Sequence, residues 1–162
     1  MTTQIEVKET KQKDLIYIPT IGVKNNTASF KKLMEWACRN GVVTSFDPKE
    51  TEFITIYSDF KNSEMRGPVD LDMVKLKACI KIDKPISKDD VIELTEIQHG
   101  KWVVGNFEIS NTHDNFSKCW KQLIIWTMEN GHVKDNREPF EIYLSFPNND
   151  NQMKVELYYP IQ

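Results

Sequence analysis

Residues 35–41 read E-W-A-C-R-N-G and residues 125–131 read I-W-T-M-E-N-G, so Trp, three variable residues and Asn-Gly occur twice, 90 positions apart. The chain of 162 residues holds only four tryptophans and six glycines. Each stretch closes a segment of helical period. In 27–41 the apolar residues Phe30, Leu33, Met34 and Ala37 recur at i, i+3, i+4 and i+7, with Thr27 placed to cap the start. In 113–131, Phe116, Trp120 and Leu123 repeat the pattern, and Asp114 is the capping candidate. A glycine just past a helix suits the left-handed turn that ends it, because it has no Cβ to clash. At the same offset Phe30 corresponds to Trp120 and Leu33 to Leu123, so the likeness extends over two helical turns.

Strand patterns flank both helices. F-I-T-I-Y (53–57) parallels F-E-I-Y-L (140–144), and V-K-L-K-A-C-I-K-I (74–82) parallels M-K-V-E-L-Y-Y-P-I (153–161). Upstream lie L-I-Y-I-P-T-I-G (15–22) and K-W-V-V-G-N-F-E-I (101–109), and further strands are expected at 4–9 and 91–97. The connector D-K-P-I-S-K-D-D (83–90) links the halves. The expected fold is α+β: one domain over 1–162, with β-α-β-β half-repeats at about 14–83 and 91–161. These pair about a pseudo-two-fold axis into a largely antiparallel sheet, with both main helices on one face. Duplication leaves a cleft between the halves, the usual place for a small molecule.

Composition narrows the function. A net charge of −3, with 28% charged residues of both signs interspersed, gives no basic face for nucleic acid. Cysteines 38, 79 and 119 are odd in number and lack C-x-x-C spacing, which argues against a disulfide framework or a zinc knuckle. His99, His113 and His132 are scattered without metal-ligand spacing, so neither metal nor cofactor is expected. No apolar run nears the ~20 residues of a spanning helix and the start lacks a signal-peptide pattern, so a cytoplasmic location is expected.

The order I-Y-I-P-T-I-G…F-K-K-L-M-E-W-A-C-R-N-G, H-G-K-W-V-V-G-N-F-E-I, W-K-Q-L-I-I-W…N-G and P-F-E-I-Y-L-S-F-P-N, ending in Y-Y-P-I, resembles the GyrI-like domain. This is the effector-binding domain of AraC-type and multidrug-sensing transcription regulators, of SOUL-like fold. The resemblance covers nearly all of the chain. It implies a central cleft for small aromatic or cationic molecules, with the glutamate of the P-x-E-x-Y strand, here Glu141, meeting the positive charge. It also implies a stand-alone effector-binding or sequestering protein, because the repeat begins by residue 15 and leaves no room for a helix-turn-helix. The chain departs from the AraC-type pattern where an Arg and an Asp enter the A-C-I strand; Lys75 and Lys77 stand there. The loop 58–73 is longer than its counterpart 145–152 and is expected to cover one side of the cleft.

Alternation puts Glu141 and Tyr143 on one face of their strand and Phe140, Ile142 and Leu144 on the other. The equivalents in the first half are Thr55 and Tyr57, so paired tyrosines flank a cleft to which one half supplies a carboxylate. An acid among rings suits a planar cation. Trp36 and Trp126 are read as core, whereas Trp120 is read as either core or cleft. Trp102 and Phe107 lie at opposite parities of one strand, and Phe107 is the cleft candidate. The ligand-binding candidates are therefore Glu141, Tyr143, Tyr57, Trp120 and Phe107. Two other functions stand beside binding: hydrolysis of reactive cyclopropane-type toxic compounds by Glu141 and Tyr143, and inhibition of DNA gyrase as in the family's namesake, the protein partner then being gyrase or a transcription regulator.

Overall fold

The computed structural model describes residues 4–58 and 72–162. The elements run β1 (Gln4–Thr10), β2 (Lys13–Ile21), a 3-10 turn (Val23–Asn25), α1 (Asn26–Arg39), β3 (Phe53–Tyr57) and β4 (Lys75–Ile82). Then follow β5 (Glu93–Ile97), β6 (Gly100–Ser110), α2 (His113–Glu129), β7 (Phe140–Tyr143) and β8 (Gln152–Pro160). The eight strands form one antiparallel sheet in the order β1-β6-β8-β7-β3-β4-β2-β5. Replacing each strand by its counterpart in the other half reverses this order, which is the expected pseudo-two-fold symmetry. The axis falls between β3 and β7, where Thr55 stands directly opposite Glu141. Notably, β1 pairs with β6 and β5 with β2, so each half's leading strand is donated to the other half.

The repeated W-x3-N-G is the end of both helices. Asn40 Nδ2 donates to the Trp36 carbonyl at 2.9 Å, and Asn130 Nδ2 donates to the Trp126 carbonyl at 2.8 Å. Gly41 and Gly131 take φ of 65° and 73°, letting the next amides, Val42 and His132, turn back to the carbonyls of Ala37 and Thr127. The Asn and Gly thus satisfy carbonyls that the helix itself leaves open. The starts differ from expectation. α1 begins at Asn26 behind the 3-10 turn, so Thr27 lies inside the helix, and α2 is capped by Thr112 Oγ1, which accepts from Asn115 N at 3.3 Å, not by Asp114.

Both helices lie on one sheet face, α1 against β2 and β4 and α2 against β6 and β8. The opposite face is also core: Ile54, Ile56, Trp102, Val104, Phe140 and Ile142 cluster there with Ile97 of β5. Only two residues separate β5 from β6, although six strand spacings of ~4.8 Å would part them in a flat sheet. The sheet must therefore curl, bringing its edges together around this second cluster. F-I-T-I-Y therefore lacks clean polar alternation: Ile54 and Ile56 are buried inside the curl, while on the helix side Phe53 is buried against Phe30 and Phe146 and Thr55 against Asn26 and Tyr143. Lys77 belongs to that inner face, with Nζ 5.3 Å from the Tyr17 ring centroid and 3.4 Å from Glu138 Oε1, so its departure from the family pattern lies away from the helix side.

Candidate functional site

Because each helix packs over the outer strands of its own half, the central strands β3 and β7 are left as the floor of a cleft of about 1020 Å³. Phe53, Tyr57, Glu141 and Tyr143 form that floor, while Asn26, Phe30 and Met34 of α1 and Phe116 of α2 rise as walls. Strand alternation does this directly: residues 53, 55 and 57 of β3 share the helix-side face with 141 and 143 of β7.

Glu141 is 1% exposed, and neutral donors surround it. Tyr57 OH and Trp120 Nε1 (2.9 Å) both donate to Oε1, and Tyr143 OH donates to Oε2 at 2.7 Å. A tyrosine hydroxyl has one proton, so Tyr143 must accept from Thr55 Oγ1 at 2.7 Å, and Thr55 in turn accepts from Asn26 Nδ2 at 3.0 Å. A directed chain thus runs Asn26, Thr55, Tyr143, Glu141, linking the first residue of α1 to the carboxylate. Among the described residues no cationic side chain forms a salt bridge with Glu141.

Burial raises the Glu141 carboxyl above the ordinary glutamate range, and the bonds from Tyr57, Trp120 and Tyr143 only partly offset it. Tyr57 and Tyr143 are pushed well above the usual phenol value, first by burial and then by the neighbouring Glu141 charge. Both therefore stay protonated donors at neutral pH. The rings obey the pseudo-dyad: Phe30 meets Tyr143 edge-on at 5.9 Å, and its counterpart Trp120 meets Tyr57 edge-on at 5.8 Å. Only the tryptophan adds an N–H to the carboxylate.

Of the residues singled out in the sequence, Glu141, Tyr143 and Tyr57 come together on the cleft floor. Trp120 does not line the cleft; it is 3% exposed within the core beneath α2 and grips Glu141 from behind. Phe107 is a correction. It is buried in that same core, because its ring folds back over Gly105, where any Cβ would sit 2.5 Å from Phe107 Cε2, and α2 closes over both. Trp36 is buried and donates to Asp89 at 2.8 Å, whereas Trp126 is half-buried and stacks on His132 at 5.9 Å. His113 reaches the cleft wall, bonded to Ser117 at 3.1 Å. Among the described residues no group of three or more His, Cys, Asp or Glu is placed to hold a metal ion, and no helix is long and apolar enough to cross a membrane. The loop expected to cover the cleft lies, over 59–71, outside the described residues. Asn26 and the aromatic wall were missed. Asn26 precedes Phe30 by one turn on the same helix stripe, and an amide heading an apolar stripe was the available signal.

Known structures share this architecture. EcmrR in a complex with DNA matches with a TM-score of 0.79 at 13% identity, covering 99% of this chain; this chain spans only 57% of that one. The isolated EcmrR C-terminal domain matches over 100% of this chain and 99% of its own, with a TM-score of 0.74 at 15% identity. A hydrolase encoded by lin2189 from Listeria innocua matches over 98% and 92%, with a TM-score of 0.64 at 13% identity. SAV2435 bound to tetraphenylphosphonium matches over 98% and 94%, with a TM-score of 0.51 at 12% identity. No curated protein matches the sequence. The family model for the GyrI-like small molecule binding domain matches residues 3–162, and the chain, with its duplicated fold and central cleft, belongs to that family.

Proposed function

We propose that the cleft binds a lipophilic organic cation, with ionised Glu141 as its counter-charge and the Tyr57 and Tyr143 rings beside it. One observation carries this reading: a carboxylate 1% exposed, held by three neutral donors, on the floor of an apolar cleft. An ionised acid in such a place is costly, and a cation entering the cleft offsets that cost while its apolar groups leave water. Ring faces add to the attraction. The tetraphenylphosphonium bound by the structurally similar SAV2435 supports the chemistry by analogy of fold. The protein would then serve as an effector receptor or as a sequestering protein for such compounds.

Titrating tetraphenylphosphonium and a panel of planar cations against tryptophan fluorescence tests it. Saturable quenching is expected, with Glu141→Gln weakening affinity by about 10- to 100-fold, the worth of a charged partner. No saturable quenching, or quenching indifferent to the substitution, would sink the cation reading.

A second reading, hydrolysis of a strained ring, draws on the Tyr143 hydroxyl 2.7 Å from a carboxyl whose pKa is raised, an arrangement suited to acid-base chemistry. It requires product in excess of one per protein when a cyclopropane-bearing electrophile is supplied. Stoichiometric binding without product rejects it.

A further inference from the structure

The cleft is less symmetric than the sheet beneath it. α1 lines it along almost its whole length, from Asn26 to Cys38 and Arg39, whereas α2 contributes only His113 and Phe116 of its first turn. The twelve helical rises from Asn26 to Cys38 make a wall of ~18 Å. The floor runs the same way. Tyr143 meets Phe30 at 5.9 Å, Phe30 meets Phe53 at 6.3 Å and Phe53 meets Phe146 at 5.2 Å, a succession of rings leading away from Glu141. Phe46, beyond the end of α1, also lines the cleft and packs against the same cluster as Phe30 and Met34. Glu141 sits at the other end, tied through Tyr143 and Thr55 to the first residue of α1. The trough therefore has one buried charge at its head and an apolar body one helix long.

We infer that the site selects an elongated monocation: a cationic head beside Glu141 and an extended apolar chain or ring system lying along α1 toward Phe146 and Phe46. This rests on the proposed role of Glu141 and adds length and charge number to it. A compact cation fills only the head. A second positive charge at the far end gains nothing, because among the described residues the charged side chains lining that wall, Lys31, Glu35 and Arg39, carry two positive charges against one negative.

The test uses n-alkyltrimethylammonium ions from butyl to hexadecyl, titrated calorimetrically below their micelle concentrations. Affinity is expected to rise roughly three- to fourfold per added methylene, as for full burial, and to level off near dodecyl where the wall ends. Phe146 is 43% exposed, so Phe146→Ala leaves folding little disturbed and is expected to shrink the dodecyl-to-butyl affinity ratio; Phe46→Leu serves as a second probe of the far end. A bis-quaternary ion with a ten-carbon spacer is expected to bind no tighter than decyltrimethylammonium, beyond the statistical factor for two equal heads. Affinity independent of chain length, an unchanged ratio in both variants, or markedly tighter binding of the bis-quaternary ion overturns the inference. If no member binds, or Glu141→Gln leaves all of them unchanged, the cation reading itself fails. Equal binding of short and long chains, still weakened by Glu141→Gln, removes only the elongation.

Discussion

The two halves of the sheet are nearly interchangeable, and the two halves of the cleft are not. Both helices end on the same Asn amide and the same left-handed glycine, and each seats an aromatic ring edge-on against the tyrosine of its counterpart's flank. At the axis itself the symmetry breaks. Thr55 faces Glu141 across one rung of the ladder, and Trp120 brings an N–H where Phe30 brings none. The scaffold positions are alike because both helices end on the same geometry, whereas the residues on the dyad face each other and one carboxylate there serves both halves.

Restoring symmetry at the axis is the severest way to break this comparison. Glu141→Thr, which gives both halves the same residue, is expected to weaken lipophilic cations by at least about 10- to 100-fold in a quenching titration. Retained affinity would mean that the charge lies elsewhere. The scaffold symmetry is tested by Gly41→Ala and Gly131→Ala. A Cβ meets nothing within 4 Å at either position, so the cost is that of the positive φ alone, about 1–2 kcal/mol or about 4 °C in Tm, and equal in the two halves. Unequal losses would show that the two turns are not equivalent.

Glu141 also sets a pH dependence that sharpens the contrast with Thr55. Its folded pKa lies above the ordinary value, so folding favours the neutral acid, and wild-type stability declines as pH rises through the folded pKa. The Tm of Glu141→Gln minus that of wild type is expected to be near zero in acid and positive at neutral pH. Cation affinity runs the other way, strengthening as the acid ionises; a flat affinity profile across that range would contradict it. The smallest effect is expected from Trp120→Phe, which copies Phe30. Loss of one N–H to Oε1 should cost about fivefold in affinity, about 1 kcal/mol, and move the midpoint of the affinity profile to higher pH. A change in affinity without that move would assign Trp120 a packing role only.

Much of this was legible in the chain. The W-x3-N-G pair set the register between halves, and alternation set Glu141 and Tyr143 on one face, because both signals are local and periodic. Phe107 was misplaced for a reason no single strand reveals: whether an aromatic on the helix side reaches the cleft depends on where the helix crosses, and α2 crosses over residues 105–107. Trp120, open between core and cleft in the sequence, is a core residue that reaches the floor acid only through its N–H. The curl of the sheet was invisible too, since it follows from which distant strands pair. Asn26 and Thr55 acquire their roles only through a cross-strand contact and a helix start displaced from its expected cap.

The exchange of leading strands has a consequence for how the chain is made. Gln4 of β1 pairs with Asn106 of β6, and Lys13 of β2 with Ile97 of β5. At ribosomal rates of about 5–20 residues per second, β1 waits roughly 5–20 s for its partner to be synthesised, and the first half emerges with that strand unsatisfied. Neither half has a complete sheet to itself, so cutting at the 83–90 connector should yield fragments that recover structure only by recombining, and a strand so long unpartnered is a natural entry point for exchange between neighbouring nascent chains. The duplication that gave the protein its cleft thus made its folding a late, long-range event.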